Sequence, residues 1–289
     1  MMKFGWLTVL CLILSGVVFC DVSFATQYVN VCADSSEAYF IDDAGLHRWF
    51  IEDSHYNSLT ILGSGCNPWL STGCVYKGTH SLAMKIAPSG EEPKDKCECA
   101  FVRNVDPFCL TFGQTRYFGF AMRLGGDGGS PFDTPTQWLL VSQIWQDNTS
   151  EQPPVSFNII PNSNPLRYRV KVRWEDHIGN YSSDNGLTVH EGEISKCTWY
   201  SVVFRLKPSH TADGVDGQLA LWINGTLIFN YIGDWGYIPE LEGGIEGMTS
   251  NILCKAGLYR APQNTTQVMF VDQIKYGTTY AEVDPSVED

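Results

Sequence analysis

The sequence predicts an all-β fold, a sandwich of two antiparallel sheets. Three observations carry this expectation. Apolar and polar residues alternate over many short runs. Gly, Pro, Asn and Asp punctuate the links between those runs. Helical spacing of apolar residues is scarce along the chain. Successive side chains on a strand point to opposite faces, so each alternating run can bury one face and leave the other polar.

In chain order the expected strands are Ser81 to Ile86, Tyr117 to Met122, Trp138 to Trp145, Val155 to Ile160, and Leu166 to Trp174. They continue with Trp199 to Lys207, Gln218 to Ile223, Thr226 to Tyr231, Leu253 to Tyr259, and Val268 to Tyr276. The clearest is Leu166 to Trp174. Tyr168, Val170, Val172 and Trp174 fall on one face and make a core stripe; Arg167, Arg169, Lys171 and Arg173 fall on the other. In Trp199 to Lys207, the residues Tyr200, Val202, Phe204 and Leu206 share the buried face. Asn224-Gly225 between two runs is a type I′ hairpin signal. Many short strands joined by turn-rich links specify a jelly roll or a related sandwich.

The flanks read differently. Residues 1–25 have Lys3, then an apolar run from Trp6 to Phe19, then the small-x-small sequence Ser23-Phe24-Ala25. This is the pattern of a secretory signal peptide. The run is shorter than the roughly 20 apolar residues of a membrane span, and no later run is longer. The domain is expected over 26–280, with an acidic, frayed tail over 281–289. In that tail Glu282, Asp284 and Glu288 match an E-x-D-x-x-x-E spacing found in a family of jelly-roll glucan hydrolases. Pro285 among them is a poor fit to the central strand that such a site needs.

Cys11 and Cys20 leave with the signal, and eight cysteines remain: Cys32, Cys66, Cys74, Cys97, Cys99, Cys109, Cys197 and Cys254. An even number in a secreted chain predicts disulfides, concentrated before residue 110. No CxxC pair or Cys/His cluster favours a metal instead. Asn148, Asn180, Asn224 and Asn264 head N-x-S/T sequons, as in a glycoprotein. The formal charge is −13. Cleavage removes one Lys and one Asp, so it is unchanged in the mature chain. Such a field opposes nucleic acid and densely anionic surfaces. A secreted monomer without membrane or nucleic-acid partners is the expectation.

Several segments, in order, resemble the jelly-roll polysaccharide lyases: the heparin lyase I-like and glucuronan lyase-like enzymes, with alginate lyases as more distant relatives. The resemblance runs over roughly residues 75 to 277. Gly78-Thr79-His80-Ser81-Leu82 comes first, then Lys96-Cys97-Glu98, where relatives often show R-x-E. Ser142-Gln143-Ile144-Trp145 is similar to a Q-x-H strand, and Leu166 to Trp174 to a charged strand. Trp199 to Phe204 and Asp216 to Gly225 resemble the W-h-x-h-h-F segment and its hairpin. Lys255-Ala256-Gly257-Leu258-Tyr259-Arg260 resembles K-x-G-h-Y, ahead of Val271 to Gly277.

The resemblance implies a concanavalin-like jelly roll and β-elimination at a uronic acid. The C5 proton of a uronate is barely acidic until the neighbouring carboxylate is held by donors or cations. A base must then take that proton while an acid protonates the departing O4. By this resemblance Gln143 donates to the carboxylate and Tyr259 is acid, base or both, with Lys255 favouring its phenolate. Lys96 and Glu98 line the same cleft, and Arg167, Arg169, Lys171 and Arg173 bind flanking uronates. Two positions depart from the family pattern. Lys96 replaces Arg, and Trp145, which cannot be a base but can stack on sugar, replaces His. His177 is therefore the histidine expected at the reaction, with His80 behind it. Trp222 and Trp235 are expected as sugar platforms or as packing. Jelly rolls of this kind often hold a structural calcium ion, for which Asp272 is the candidate ligand; the chemistry itself requires no cofactor. The alternative function is a non-catalytic, lectin-like carbohydrate-binding protein on the same fold.

Overall fold

The computed structural model describes residues 27–29, 49–53, 66–78, 80–88, 95–101, 110–126, 130–147, 152–174, 186–210 and 214–287, the segments 27–29, 49–53, 66–70 and residue 101 by backbone alone. Two antiparallel sheets face one another. One is eight-stranded and runs β13 (Thr226–Ile232), β12 (Gln218–Ile223), β11 (Trp199–Lys207), β6 (Arg116–Leu124), β15 (Gln267–Gly277), β4 (Ser81–Ile86), β3 (Cys66–Ser71), with β1 (Gln27–Val29) also paired to β15. The other is seven-stranded and runs β10 (Leu187–Glu193), β9 (Arg167–Val172), β8 (Val155–Ile159), β7 (Leu139–Gln146), β14 (Ile252–Arg260), β5 (Asp95–Phe101), β2 (Trp49–Asp53). Strands distant in sequence lie side by side, as β14 does between β5 and β7. This is the jelly-roll architecture expected.

The core fills the space between the sheets. Phe118, Phe120, Met122 and Leu124 alternate inward from β6 and pack with Val202, Phe204 and Leu206 of β11. Tyr168, Val170 and Val172 of β9 and Cys254, Ala256 and Leu258 of β14 enter from the opposite sheet. Burying each large apolar side chain contributes about 1.5–3 kcal/mol, so alternation on the central strands sets which face looks outward.

All ten expected strands are present, with ends displaced by a residue or two. Five more were not anticipated. β3 contains Pro68, which a sheet tolerates because β3 is the last strand beyond β4. β5 reads Asp-Lys-Cys-Glu-Cys-Ala-Phe; Lys96 and Glu98 alternate with the core residues Cys97 and Cys99, and Asp95 is buried. β10 is an edge strand whose residues are all exposed or half-buried, so it lacks an apolar stripe. The β12–β13 turn has positive φ at both Asn224 (50°) and Gly225 (74°), as a type I′ turn requires.

The C-terminal segment does not fray over its described part. Tyr280–Val283 form a short helix, α1, closed by a capping box between Thr279 and Glu282. Val283 is fully buried, and its backbone lies so close to Gly119 that a Cβ there would meet the Val283 carbonyl oxygen. Asp284 accepts from the Ser201 hydroxyl at 3.1 Å, and Lys77 Nζ donates to the Ser286 carbonyl at 2.8 Å. The composition of this segment is acidic, but its carboxylates are consumed by local donors.

The cysteines divide. Cys97 is disulfide-bonded, whereas Cys74, Cys99, Cys197 and Cys254 carry free thiols, so the expectation of mostly paired cysteines does not hold for these four. Cys99 and Cys254 serve as small core residues, and burial pushes both thiols up in pKa. The signal peptide 1–25, Asn148, Asn180, Cys32, Cys109, His177 and Glu288 lie outside the described residues. Asn224 and Asn264 are both exposed. Among the described residues no helix is long and apolar enough to cross a membrane.

Candidate active site

On β9 the core takes Tyr168, Val170 and Val172, which turns Arg167, Arg169 and Lys171 to the outer face of the seven-stranded sheet. On β14 it takes Cys254, Ala256 and Leu258, which turns Lys255, Gly257 and Tyr259 to the same side. Strand register then aligns the outward residues. One row reads Ala100, Lys255, Gln143, Ser156, Lys171, Thr188. A second reads Lys96, Tyr259, Leu140, Asn158, Arg169, Glu191. Neighbouring strands are about 4.8 Å apart. The expected residues of four separate sequence segments therefore meet on one surface.

At its centre, Gln143 Nε2 donates to both oxygens of Glu98, at 2.8 and 2.7 Å. Glu98 is fully buried and Gln143 and Lys255 are 2% exposed. Lys255 Nζ lies 4.3 Å from the centroid of the Trp145 ring, a cation–π contact. Lys96 Nζ sits 4.0 Å from Glu98 and 5.0 Å from the centroid of the Tyr259 ring. Trp138, which the sequence reading did not single out, meets Tyr259 edge-on at 5.0 Å and keeps 36% exposure. Its only sequence signal is its place at the entry to the Gln143 strand.

The glycine of Lys-Ala-Gly-Leu-Tyr has a structural reason. Gly257 has φ 144° and lies opposite Glu98; a Cβ there would stand 2.4 Å from the Cys97 carbonyl oxygen and 2.6 Å from Glu98 Cα. Between Ala256 and Tyr259 β14 slips against β7, one extra residue on β14. The following Arg260 is fully buried and donates to Asp95 at 3.0 Å, to the Thr265 carbonyl at 2.7 Å and to the Ala87 carbonyl at 2.6 Å, and it also bonds Gln267. That network fixes the end of the strand that carries Tyr259.

Other expectations need correction. The Gln143 amide is committed to Glu98, and its Oε1 is a buried acceptor without a partner. The cation over the Tyr259 ring is Lys96; Lys255 covers Trp145 instead. Arg173 is only 5% exposed and braces the sheet by donating to the Pro153 carbonyl and the Ser156 hydroxyl. Arg167 is paired with Glu191 at 3.1 Å. Lys171 is half-buried beside Arg169 and Arg173; burial first, then those two like charges, push its pKa down to about 8. Trp235 is fully buried and donates to the Gln218 carbonyl, so it is no sugar platform. Trp222 lies on the other sheet against Tyr117 and Tyr280. His80 leads into β4, also in the eight-stranded sheet.

Asp272 does not fit a calcium ligand. It is fully buried; its Oδ2 accepts from the backbone N–H of Tyr76 and Lys77 at 3.1 and 3.0 Å, and its Oδ1 from that of Gln273 at 2.8 Å. Donors surround the carboxylate where a cation would need further oxygens. Among the described residues no group of three or more His, Cys, Asp or Glu stands ready for a metal.

The family model described as polysaccharide lyase matches residues 66–275, most of the chain and six of the seven strands of this sheet, all but β2. The chain belongs to the polysaccharide lyase family. Among solved structures, this polysaccharide lyase is similar to an endo-β-1,4-glucuronan lyase from the fungus Trichoderma reesei. The TM-score is 0.58 at 18% identity, covering 83% of this chain and 100% of that one. That likeness bears on the fold. Two alginate lyases are also matched. One is A1-II′ of polysaccharide lyase family 7 (TM-score 0.47, 11% identity, covering 79% and 93%); the other is PA1167 from Pseudomonas aeruginosa (0.46, 16%, covering 69% and 83%). No curated protein sequence matches the chain.

Proposed function

We propose that this polysaccharide lyase is secreted and cleaves a uronic-acid-containing polysaccharide by β-elimination on the outer face of its seven-stranded sheet. The observation that carries the reading is the convergence there of Tyr259, Lys96, Lys255, Gln143 and Glu98 in a chain of this family. Glucuronan is the acidic polymer named for the neighbour of similar fold.

The reaction breaks the C5–H and C4–O4 bonds and forms a C4–C5 double bond. The C5–H bonding pair becomes the new π bond as its proton passes to the base, and O4 departs with the C4–O4 pair and takes up a proton from the acid. Lys96 and Lys255 provide the positive charge that stabilises the enolate-like transition state at the uronate carboxylate. Tyr259 exchanges the protons; its ring is fixed by Trp138 on one edge and Lys96 above. Gln143 keeps the Glu98 carboxylate in place, and Glu98 in turn holds Lys96 near Tyr259. Arg169 and Lys171 attract the flanking acidic residues of the polymer. We place the protein outside the cell as a monomeric glycoprotein with Asn224 and Asn264 as exposed acceptors.

One observation favours a second reading, a sugar-binding protein without chemistry. Trp145 occupies a position where relatives often carry His and stacks on Lys255. Incubation with glucuronan, alginate, polygalacturonate and heparin separates the two. Ultraviolet absorbance from an unsaturated uronate is expected with at least one polymer. Binding without any rise in absorbance would establish the lectin reading instead.

A further inference from the structure

The β12–β13 hairpin turns on a sequon. Asn224-Gly225-Thr226 closes it, and Asn224 and Thr226 are both exposed. The Asn224 amide is committed on one side. Its Oδ1 accepts from the backbone N–H of Ser201 at 2.9 Å, while the Asn224 backbone N–H donates to the Ser201 carbonyl at 2.8 Å. A side chain thus extends the ladder between β11 and β12 and fixes the amide plane. Nδ2, the atom to which an N-linked sugar is joined, takes no part in these bonds.

Next to that turn lies an apolar shelf on the outer face of the eight-stranded sheet. Trp222 pairs with Leu227, one step down the hairpin from Ile223 and Thr226. The register shift after Leu221 places an extra residue on β13, so Ile228 and Phe229 both pack against the core and Leu227 is left beside Trp222. Leu227 is 52% exposed and Trp222 is half-buried. The other neighbours of Trp222 are uncharged: Val203 on β11, the Tyr117 ring at 6.5 Å and the Tyr280 ring at 5.2 Å. Arg205, two residues along β11 from Val203, donates to Asn230 at 2.7 Å. A shelf of this composition gives an acidic polymer little to pair with. It suits the C–H face of a neutral sugar, which packs on an indole and an aliphatic side chain without desolvating a charge.

We propose that Asn224 carries an N-linked glycan whose first N-acetylglucosamine lies on Trp222 and Leu227. The proposal rests on the reading that the chain is secreted. Trp222 is two residues from Asn224, about 7 Å along the strand, roughly the span of one pyranose ring with its linkage. The inner side of the hairpin is closed by Ile223, Ile228 and Phe229 against the core, so a sugar that folds back has the outer face to lie on. The linkage replaces one Nδ2–H by a bond to the anomeric carbon of the sugar. The lipid pyrophosphate of the donor leaves with the C1–O pair, and the displaced proton passes to a base of the transferase. Oδ1 is untouched, so the bond to Ser201 survives the modification.

The test uses the full chain from a eukaryotic secretory host, with occupancy of Asn224 read by glycopeptide mass spectrometry. Endoglycosidase trimming to a single N-acetylglucosamine gives one comparison. Thr226→Val gives the other: it keeps the β-branched shape and the Asn224–Ser201 bond but destroys the sequon. Hydroxyl-radical footprinting then reports the exposure of Trp222 and Leu227. Expected are an occupied Asn224 and several-fold slower oxidation of both side chains in the intact and trimmed forms than in Thr226→Val. The sugar-bearing forms should also melt roughly 2–4 °C higher, the shift from about one stacking contact. Leu227→Ser, a change at an exposed position, should narrow that gap. Asn224 bare while Asn264 carries sugar would overturn the proposal and leave the secreted reading standing; sugar on neither would remove both. An occupied Asn224 with Trp222 and Leu227 oxidised as fast as in Thr226→Val would also overturn it, since the glycan then points into solvent.

Discussion

Glu98 and Gln143 are bonded to one another over a strand that lies between theirs. Glu98 is on β5, Gln143 on β7, and β14 separates them, presenting Gly257 at the crossing point. A Cβ there would run into the Cys97 carbonyl oxygen, Glu98 Cα and the sulfur of the core residue Met84. Gly257→Ala should cost about 1–3 kcal/mol from its positive φ alone, with more from the contact with the Cys97 carbonyl. Denaturant midpoints measure the stability loss, and elimination should fall with it. A variant as stable and active as wild type would show that β14 shifts freely.

Tyr259→Phe keeps the ring that Trp138 and Lys96 hold and removes only the hydroxyl. Proton-transfer groups supply typically 10²–10⁴-fold, so kcat should fall by about that factor. Thermal stability and oligosaccharide affinity should stay close to wild type. Undiminished turnover would remove Tyr259 from the reaction and move attention to His177.

Arg260 and Asp95 form a buried pair. Burial alone lowers the Arg260 pKa, and Asp95 opposes that shift by charge and hydrogen bond. Arg260→Met takes the guanidinium away from the buried Asp95 carboxylate, at a cost of about 3–5 kcal/mol. Asp95→Asn added to Arg260→Met should recover part of it, since the remaining partner is then neutral. A double-mutant cycle in urea reads the coupling; a value near zero would mean that the two act independently.

The docked C-terminal segment should be acid-labile. Burial raises the pKa of Glu282, but hydrogen bonds from Thr278 and Thr279 outweigh it and leave the value lowered. Burial likewise raises that of Asp284, and bonds from Ser286, Tyr280 and Ser201 bring it below the ordinary range. A folded-state pKa below the unfolded one means stabilisation that is present above the unfolded value. It is lost as pH falls through the folded one. Amide exchange over 280–287 should therefore accelerate below the usual carboxylate range, earlier in Glu282→Gln. Exchange that is flat with pH across that range would rule out the mechanism.

Much of this face was legible because strand alternation and order along the chain are local properties. Tyr168, Val170 and Val172 against Arg167, Arg169 and Lys171 sort into faces with no knowledge of neighbours. What neighbours decide was not legible. That Arg173 is a brace depends on the Pro153 carbonyl and the Ser156 hydroxyl, and that Arg167 is engaged depends on Glu191 of a strand with no apolar stripe. Which partner Gln143 serves depends on Glu98, distant in sequence. Asp272 is a calcium candidate only by the family resemblance; the backbone N–H groups of Tyr76 and Lys77 that it accepts from are not visible in the sequence.

The edge-on packing of Trp138 against Tyr259 equips the protein with its own optical reporter. The indole is partly exposed, so a sugar that settles on Tyr259 would strip water from it and alter its emission. Replacing Tyr259 by Phe preserves the ring beneath it. Occupancy can then be followed by intrinsic fluorescence in a variant whose turnover is expected to be slow, with no dye attached and little product accumulating.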